Sequence, residues 1–248
     1  MKKIMLITLV LVIVATCSFG SVAYAQTEEN PQIMQSTTNR DVQNSNQRLD
    51  NLTKITQNDL NELRKYSDVT IKQLDDKQVE LTVENKIPEQ ITTLSDGANI
   101  QTYSTSVIVA NYGETYTDLD VQFYVKMNYS KYANSYGYNF CKLNYGYGKL
   151  VECWESQYRN LKISNGVYGG WEDVDGSTGY TTTVVTNSTT IASPTKGAEY
   201  SLASPSSHYY AVDSSNGVIS VKVSIDWRHG TSWYTTSYYI KIGNVNLW

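Results

Sequence analysis

The chain has 248 residues, with 20 basic and 24 acidic side chains and a net charge of −4 at pH 7. This mild acidity excludes the strongly basic surface that nucleic acids and anionic lipids attract, so we expect no nucleic-acid partner.

Residues 1–25 are typical of a secretory signal peptide. Two lysines precede the apolar run 4–14, and Ala23 and Ala25 occupy the positions that a signal peptidase reads. The run is too short for a membrane anchor. Cys17 follows a threonine, whereas a lipoprotein signal has glycine, alanine or serine there. We therefore expect a secreted bacterial-type protein, extracellular or associated with the cell surface.

Beyond this leader, the chain keeps 18 basic residues against 24 acidic ones, a net charge of −6. No second apolar run approaches the roughly 18 residues needed to span a bilayer, so we expect no transmembrane segment in the mature chain. The aromatic residues are unevenly placed, because only two of the 21 tyrosines precede residue 103 and all five tryptophans lie at or after 154. The sequence thus predicts an aromatic-poor N-terminal part and a tyrosine-rich C-terminal domain.

Residues 26–46 are polar and without period, which predicts a flexible lead-in. Residues 47–68 place their apolar side chains within an arc of about 140° on a helical wheel, which predicts one amphipathic helix. These side chains are Leu49, Leu52, Ile55, Leu60, Leu63 and Tyr66. The helix either packs on the β domain, pairs with a coiled-coil partner, or belongs to a cleaved pro-segment.

Residues 69–100 are interpreted as linking strands. Val79, Leu81 and Val83 alternate with polar residues, and Pro88 ends the alternation. The pattern predicts a β-hairpin that turns near Asp75, with extension of the preceding helix as the alternative for the first arm.

Residues 101–248 show the period of two that is typical of strands with one buried face. Apolar residues alternate with polar ones over 119–128 and 219–227, and residues 228–231 form a turn into a last strand. Shorter strands fit at 103–110, 167–171, 180–191 and 208–212. The pattern predicts a mainly β domain, an antiparallel β-sandwich of the Ig-like or a related two-sheet kind.

The stretch 140–159 holds the two remaining cysteines. A fold about Tyr147 places Cys141 opposite Cys153 and also creates apolar, aromatic and opposite-charge pairs. Because secreted proteins meet an oxidising environment, we expect a β-hairpin closed by a Cys141–Cys153 disulfide. The absence of a CxxC motif argues against a metal or redox site.

The loop YGGWEDVDGSTGY, residues 168–180, is the best candidate for a ligand site. Trp171 and Tyr168 can stack on a sugar ring, and Asp173 and Asp175 lie close by. The two aspartates resemble part of a calcium loop, but the glutamate that an EF-hand requires is missing. We expect no cofactor, with calcium as the alternative.

The sequence has no convincing catalytic constellation. His208 and His229 lie in expected loops or turns, and neither a G-x-S-x-G nor an HExxH motif occurs. We therefore expect a non-catalytic protein that binds a glycan, a cell wall or an extracellular protein surface through exposed aromatics. The alternatives are a hydrolase that uses the acidic residues near Trp171, and a β-pore-forming toxin whose membrane segment lies in the Ser/Thr-rich stretch 176–207.

Overall fold

The structure is a computed structural model of the chain. It describes residues 64–65, 67–75, 78–95, 99–112, 119–153, 157–213 and 216–248. The predicted signal peptide, the lead-in and nearly all of the predicted amphipathic helix lie outside these residues. In this part of the chain, no helix has the length and hydropathy that a membrane span requires.

The described residues form twelve β-strands, and every pairing between them is antiparallel. The strands are β1 (Ser67–Asp75), β2 (Gln78–Asn85), β3 (Gln90–Thr93), β4 (Asn99–Tyr112), β5 (Leu119–Ala133), β6 (Asn139–Cys153), β7 (Tyr158–Glu172), β8 (Thr178–Ile191), β9 (Glu199–Ala203), β10 (Tyr210–Ala211), β11 (Gly217–His229) and β12 (Ser232–Gly243). The prediction of a mainly β, antiparallel chain is confirmed.

The strand pairs run in the order β1-β2-β4-β5-β6-β10-β7-β11-β12, while β3 flanks β4, β8 flanks β7 and β9 flanks β6. The link between the two groups of long strands is the short β10. Its Tyr210 pairs with Cys141 of β6 on one side and with Trp171 of β7 on the other. The first group therefore ends at β6, and the second begins at β7.

The main hydrophobic core draws side chains from both groups of strands. Its buried members include Phe123 and Met127 of β5, Ile163 of β7, and Val221 and Val223 of β11. Because strand side chains alternate between the two faces, each of these strands contributes every second residue to this core.

Two predicted hairpins are confirmed by their strand pairing. Asp75 of β1 lies opposite Gln78 of β2, and His229 of β11 lies opposite Ser232 of β12. The predicted core alternation over 219–227 is also confirmed, since all of its apolar members are buried.

The alternation along β5 correctly predicts its core face but not its other face. Tyr124, expected to be wet, is only 2% exposed. Ile108 and Lys149 flank it in the neighbouring strands, and the Lys149 ammonium lies 5.4 Å from the centre of its ring. Burial raises the pKa of Tyr124 and lowers the pKa of Lys149. A lysine stem and an aliphatic neighbour thus cover a ring that alternation alone assigns to solvent.

The predicted hairpin about Tyr147 and its disulfide are wrong. Residues 139–153 form the single continuous strand β6, whose Cys141 and Cys153 are both buried and are not joined by a disulfide. Twelve residues of extended strand separate them by about 40 Å, whereas a disulfide needs Cα atoms within about 7 Å. Burial raises the pKa of the Cys141 thiol to about 12. In β5, Cys141 lies opposite Lys131 and Cys153 lies opposite Val121, and Cys141 also pairs with Tyr210 of β10.

Candidate functional site

The candidate site lies at one end of the long strands, where the β5–β6 turn, the β7–β8 turn and the segment leading into β10 meet. We call this region, residues 132–140, 171–178 and 204–209, the loop end. The Tyr132 hydroxyl donates a hydrogen bond to the Glu172 carbonyl at 2.6 Å, and the Glu172 N–H donates to the Tyr209 carbonyl at 3.0 Å. The three connections are therefore tied to one another by direct hydrogen bonds.

Asp173 organises the β7–β8 turn. Its backbone closes the turn, because its N–H donates to the Ser177 carbonyl at 2.8 Å and its carbonyl accepts from the Gly176 N–H at 2.9 Å. Its carboxylate leaves the turn and reaches the segment before β10. There Oδ2 lies 2.7 Å from Nδ1 of His208, and Oδ1 accepts the Tyr209 N–H at 3.1 Å.

Trp171 is half-buried at the end of β7. The His208 ring stacks on it with centroids 3.9 Å apart and planes at 11°. Gly179 of β8 lies against its six-membered ring, where an added Cβ would come within 2.3 Å. The indole also packs on the main core. One ring face is thus already stacked on a protein side chain.

Asp175 and Tyr168 make contacts of their own. The Asp175 carboxylate accepts the Ser177 hydroxyl at 2.6 Å and the Ser177 N–H at 2.9 Å. These hydrogen bonds hold the pKa of Asp175 below its ordinary value. Tyr168 meets Tyr180 edge-to-face at 5.9 Å, and their hydroxyls lie 3.3 Å apart.

The structure therefore joins two of the four sequence-predicted residues, Trp171 and Asp173, through His208. Asp175 sits in the same turn with its carboxylate turned to Ser177, and Tyr168 is paired on the neighbouring strand. A glycosidase needs two carboxylates that flank the scissile bond, and a calcium site needs six to eight oxygen ligands around one point. Both carboxylates here are engaged in hydrogen bonds within the protein, and no group of three or more metal-binding side chains occurs among the described residues.

Two exposed tyrosines that are not among the sequence-predicted site residues lie in the β5–β6 turn. Tyr136 is 83% exposed and Tyr138 is 64% exposed. The signal was present in the string ANSYGYN, in which two tyrosines flank a glycine inside a turn. A tyrosine in a strand is ordinary, but two that project from a turn have no packing role there.

Asn134 holds this turn in one conformation. Its carbonyl and N–H bond to Gly137 and Tyr138, and its Oδ1 accepts the N–H groups of Tyr136 and Tyr138, each at 3.1 Å. Its amide Nδ2 then donates to both carboxylate oxygens of Glu172, at 3.1 and 3.2 Å. The tyrosine-bearing turn is thereby anchored to β7.

An aromatic cluster supports the turn from below. Tyr132 stacks on Phe140 at 5.5 Å and meets Tyr209 edge-to-face at 4.9 Å. The Lys142 ammonium lies 4.9 Å from the centre of the Tyr209 ring. Burial, followed by the nearby charge of Glu172, raises the pKa of Tyr132. The tyrosine hydroxyls of the cluster stay protonated at ordinary pH, and the packed rings lie beneath the exposed tyrosines.

The loop end thus combines a rigid base, a fixed turn and two exposed aromatic rings. No family model, curated protein or solved structure matches this chain. The arrangement suits contact with a surface, because its polar groups are engaged in holding the loops and its exposed groups are rings.

Proposed function

We propose that this is a secreted, non-catalytic binding protein that recognises a glycan, a cell wall or an extracellular protein surface through exposed aromatics. The observation that carries the proposal is the exposure of Tyr136 and Tyr138 on a turn fixed by Asn134. Secretion is supported by the leader sequence of residues 1–25. A β-sandwich arrangement of the two strand groups is part of the proposal, and the core shared between them supports it.

The fixed turn matters for affinity. Ordering a mobile side chain or loop on binding costs about 0.5–1.5 kcal/mol per residue, and a loop that is already hydrogen-bonded avoids much of that cost. Tyrosine adds a large, rigid contact surface with only two rotatable bonds and one polar tip. Tyr136 and Tyr138 therefore meet the requirements for anchor residues.

We expect the double variant Tyr136→Ala/Tyr138→Ala to lose binding. The measurement is retention of the purified secreted protein on insoluble bacterial cell wall, chitin and cellulose. Because each anchor side chain contributes at least about 1 kcal/mol, the apparent affinity should fall by about tenfold or more. Unfolding by heat should change little, since both rings are exposed.

The matched control is Tyr180→Ala/Tyr234→Ala, which removes two tyrosines that are 51% and 48% exposed outside the β5–β6 turn. The control should be retained like the wild type. Equal loss in both double variants would show non-specific aromatic adhesion, and no retention of the wild type on any surface would remove the proposal.

A second candidate function is a β-pore-forming toxin, and strand β8 favours it. Its 14 residues exceed the 9–11 that span a bilayer, and from Val184 to Ile191 its side chains alternate between exposed and half-buried. Its strand partner is β7. Because β8 pairs with β7 alone among the described strands, the hydroxyl-rich β8 can separate from β7 while the pairing between the other strands is kept.

This candidate predicts dye release from liposomes of phosphatidylcholine, phosphatidylglycerol and cholesterol. The variant Ser164→Cys/Ser188→Cys joins two residues that lie opposite each other in β7 and β8. When oxidised it should release less dye, and reduction should restore release. The single variant Ser188→Cys is the control. Intact liposomes at every lipid ratio would exclude the candidate.

A further inference from the structure

A polar groove lies beside the loop end, on the face of β4, β5 and β6 that points away from the main core. Its volume is about 540 Å³, and its lining includes six serine and threonine hydroxyls, three amides, one tyrosine and one lysine. Small-molecule sites measure about 300–1,000 Å³. The groove is therefore large enough for a ligand of several rings, and its lining is rich in neutral hydrogen-bonding groups.

Strand register builds the floor of the groove. Gln90, Thr102, Ser130 and Lys142 lie opposite one another across β3, β4, β5 and β6. The hydroxyls of Thr102 and Ser130 are 3.3 Å apart. Four neighbouring strands thus present one continuous row of polar side chains.

A β-bulge adds two amides to this floor. Asn128 pairs with Tyr145, and Asn144 is the extra residue of β6 at the register shift that follows. Asn144 Nδ2 donates to Asn128 Oδ1 at 3.0 Å and to the Ser130 hydroxyl at 2.9 Å. Bulges re-aim side chains and recur at functional sites. Here the bulge turns an amide toward the groove and fixes its plane.

The chain after β9 forms one wall. The Ser204 N–H donates to the Asn144 carbonyl at 2.9 Å, and the Ser204 hydroxyl donates to the Ser206 carbonyl at 2.7 Å. The wall is therefore attached to the bulge itself. Its hydroxyl side chains, Ser206 and Ser207 among them, line the groove.

Tyr145 supplies an aromatic surface at the groove and is 46% exposed. The charge in the lining belongs to Lys142, whose ammonium lies over the Tyr209 ring. The groove therefore offers amides, hydroxyls and one ring, with little net charge to attract an ion.

We propose that this groove binds a neutral oligosaccharide. Each sugar hydroxyl both donates and accepts hydrogen bonds, as do the amide and hydroxyl groups of the floor. The apolar face of a sugar ring matches the exposed face of Tyr145. The inference deepens the proposed function and rests on its glycan alternative, but it places recognition on residues other than Tyr136 and Tyr138.

The test is calorimetric titration of the full secreted protein with maltopentaose, cellopentaose, chitopentaose and mannopentaose, beside a pentagalacturonate. At least one neutral sugar should bind, and Tyr145→Ala should raise its Kd by about tenfold or more. Tyr145→Phe keeps the ring and should stay within about twofold of the wild type. Tyr180→Ala, which removes an exposed tyrosine outside the groove, should leave the Kd unchanged.

A second variant separates loss of binding from misfolding. Gln90→Ala removes an exposed amide at the β3 end of the floor, and it should raise the Kd several-fold with the thermal midpoint unchanged. Binding of the galacturonate alone, or of no sugar, overturns the groove proposal. In that case, loss of wall retention in Tyr136→Ala/Tyr138→Ala would still support the proposed function. If the sugars bind and Tyr136→Ala/Tyr138→Ala is still retained on cell wall, these two tyrosines are not the binding residues. The groove proposal is then supported by itself.

Discussion

Replacing Asn165 by alanine is expected to lower the free energy of unfolding by about 3 kcal/mol. Asn165 of β7 is completely buried, and its Nδ2 donates to the Leu202 and Ala203 carbonyls at 2.7 and 3.0 Å. These two bonds hold the end of β9 against β7. Alanine removes both of these donors from β9 and leaves a small cavity where the buried amide was. The midpoint of urea unfolding, followed by tryptophan fluorescence, measures the loss.

The matched control is Asn187→Ala, because Asn187 lies opposite Asn165 in β8 and donates to the same Ala203 carbonyl at 3.0 Å. Asn187 is half-exposed and makes one such bond, so we expect a loss of about 1 kcal/mol. Similar losses in both variants would contradict the view that burial of the Asn165 amide sets the cost.

The Asn165 contact also connects the fold to the groove. Ala203 directly precedes Ser204, whose N–H is bonded to the bulged Asn144. An added Cβ at Gly146 would lie 2.1 Å from Asn165 Oδ1, so the absence of a side chain there lets the amide lie against β6 and reach the β9 carbonyls. The buried Asn165 amide thus positions the end of β9, from which the groove wall at Ser204 continues.

The strands could be predicted from the sequence wherever one face is apolar and the other polar. Ile219, Val221 and Val223 show this alternation, and all three are buried. The turn at Gly230 could be predicted because this glycine separates two alternating stretches. The structure shows a continuous hairpin around it. These are local signals, and antiparallel pairing between adjacent strands needs little more.

The stretch around Tyr147 shows why local matching can mislead. Its residues match one another in a local hairpin, but the actual partners lie in the preceding strand β5 and in β9, which comes much later in the sequence. Gly146 and Gly148 look like turn residues, yet they lie within a strand where facing side chains come close. Long-range packing decides between the two interpretations, and a single sequence does not reveal it.

Only part of the candidate site could be predicted, because some of its contacts join residues that are distant in sequence. Trp171 and Asp173 are adjacent in a loop and draw attention, but their partner His208 comes from a segment 35 residues away from Asp173. The groove has no motif at all, because its floor depends on the register of four strands. Tyr136 and Tyr138 do not stand out in the sequence, because tyrosine is common in strands throughout this chain.

Replacing Gly169 by alanine is expected to cost about 4 kcal/mol or to prevent folding. Gly169 has φ of +109°, and a Cβ built there would lie 1.6 Å from the Asn216 carbonyl oxygen. The left-handed conformation costs a residue with a side chain about 1–2 kcal/mol, and the backbone clash adds the cost of moving β7 away from β11. Urea unfolding and the yield of soluble protein measure the effect.

Gly176 provides the control, because it also has a positive φ, +83°, but nothing lies within 4 Å of an added Cβ. Gly176→Ala should therefore cost only about 1 kcal/mol. Gly169 lies at the register shift between β7 and β8, two residues before Trp171. If Gly169→Ala folds by displacing the strand, the Trp171–His208 stacking should be disturbed, and a change in tryptophan fluorescence should accompany the loss of stability. Equal stability of the Gly169→Ala and Gly176→Ala variants would show that the close approach of β7 to Asn216 does not exist in solution.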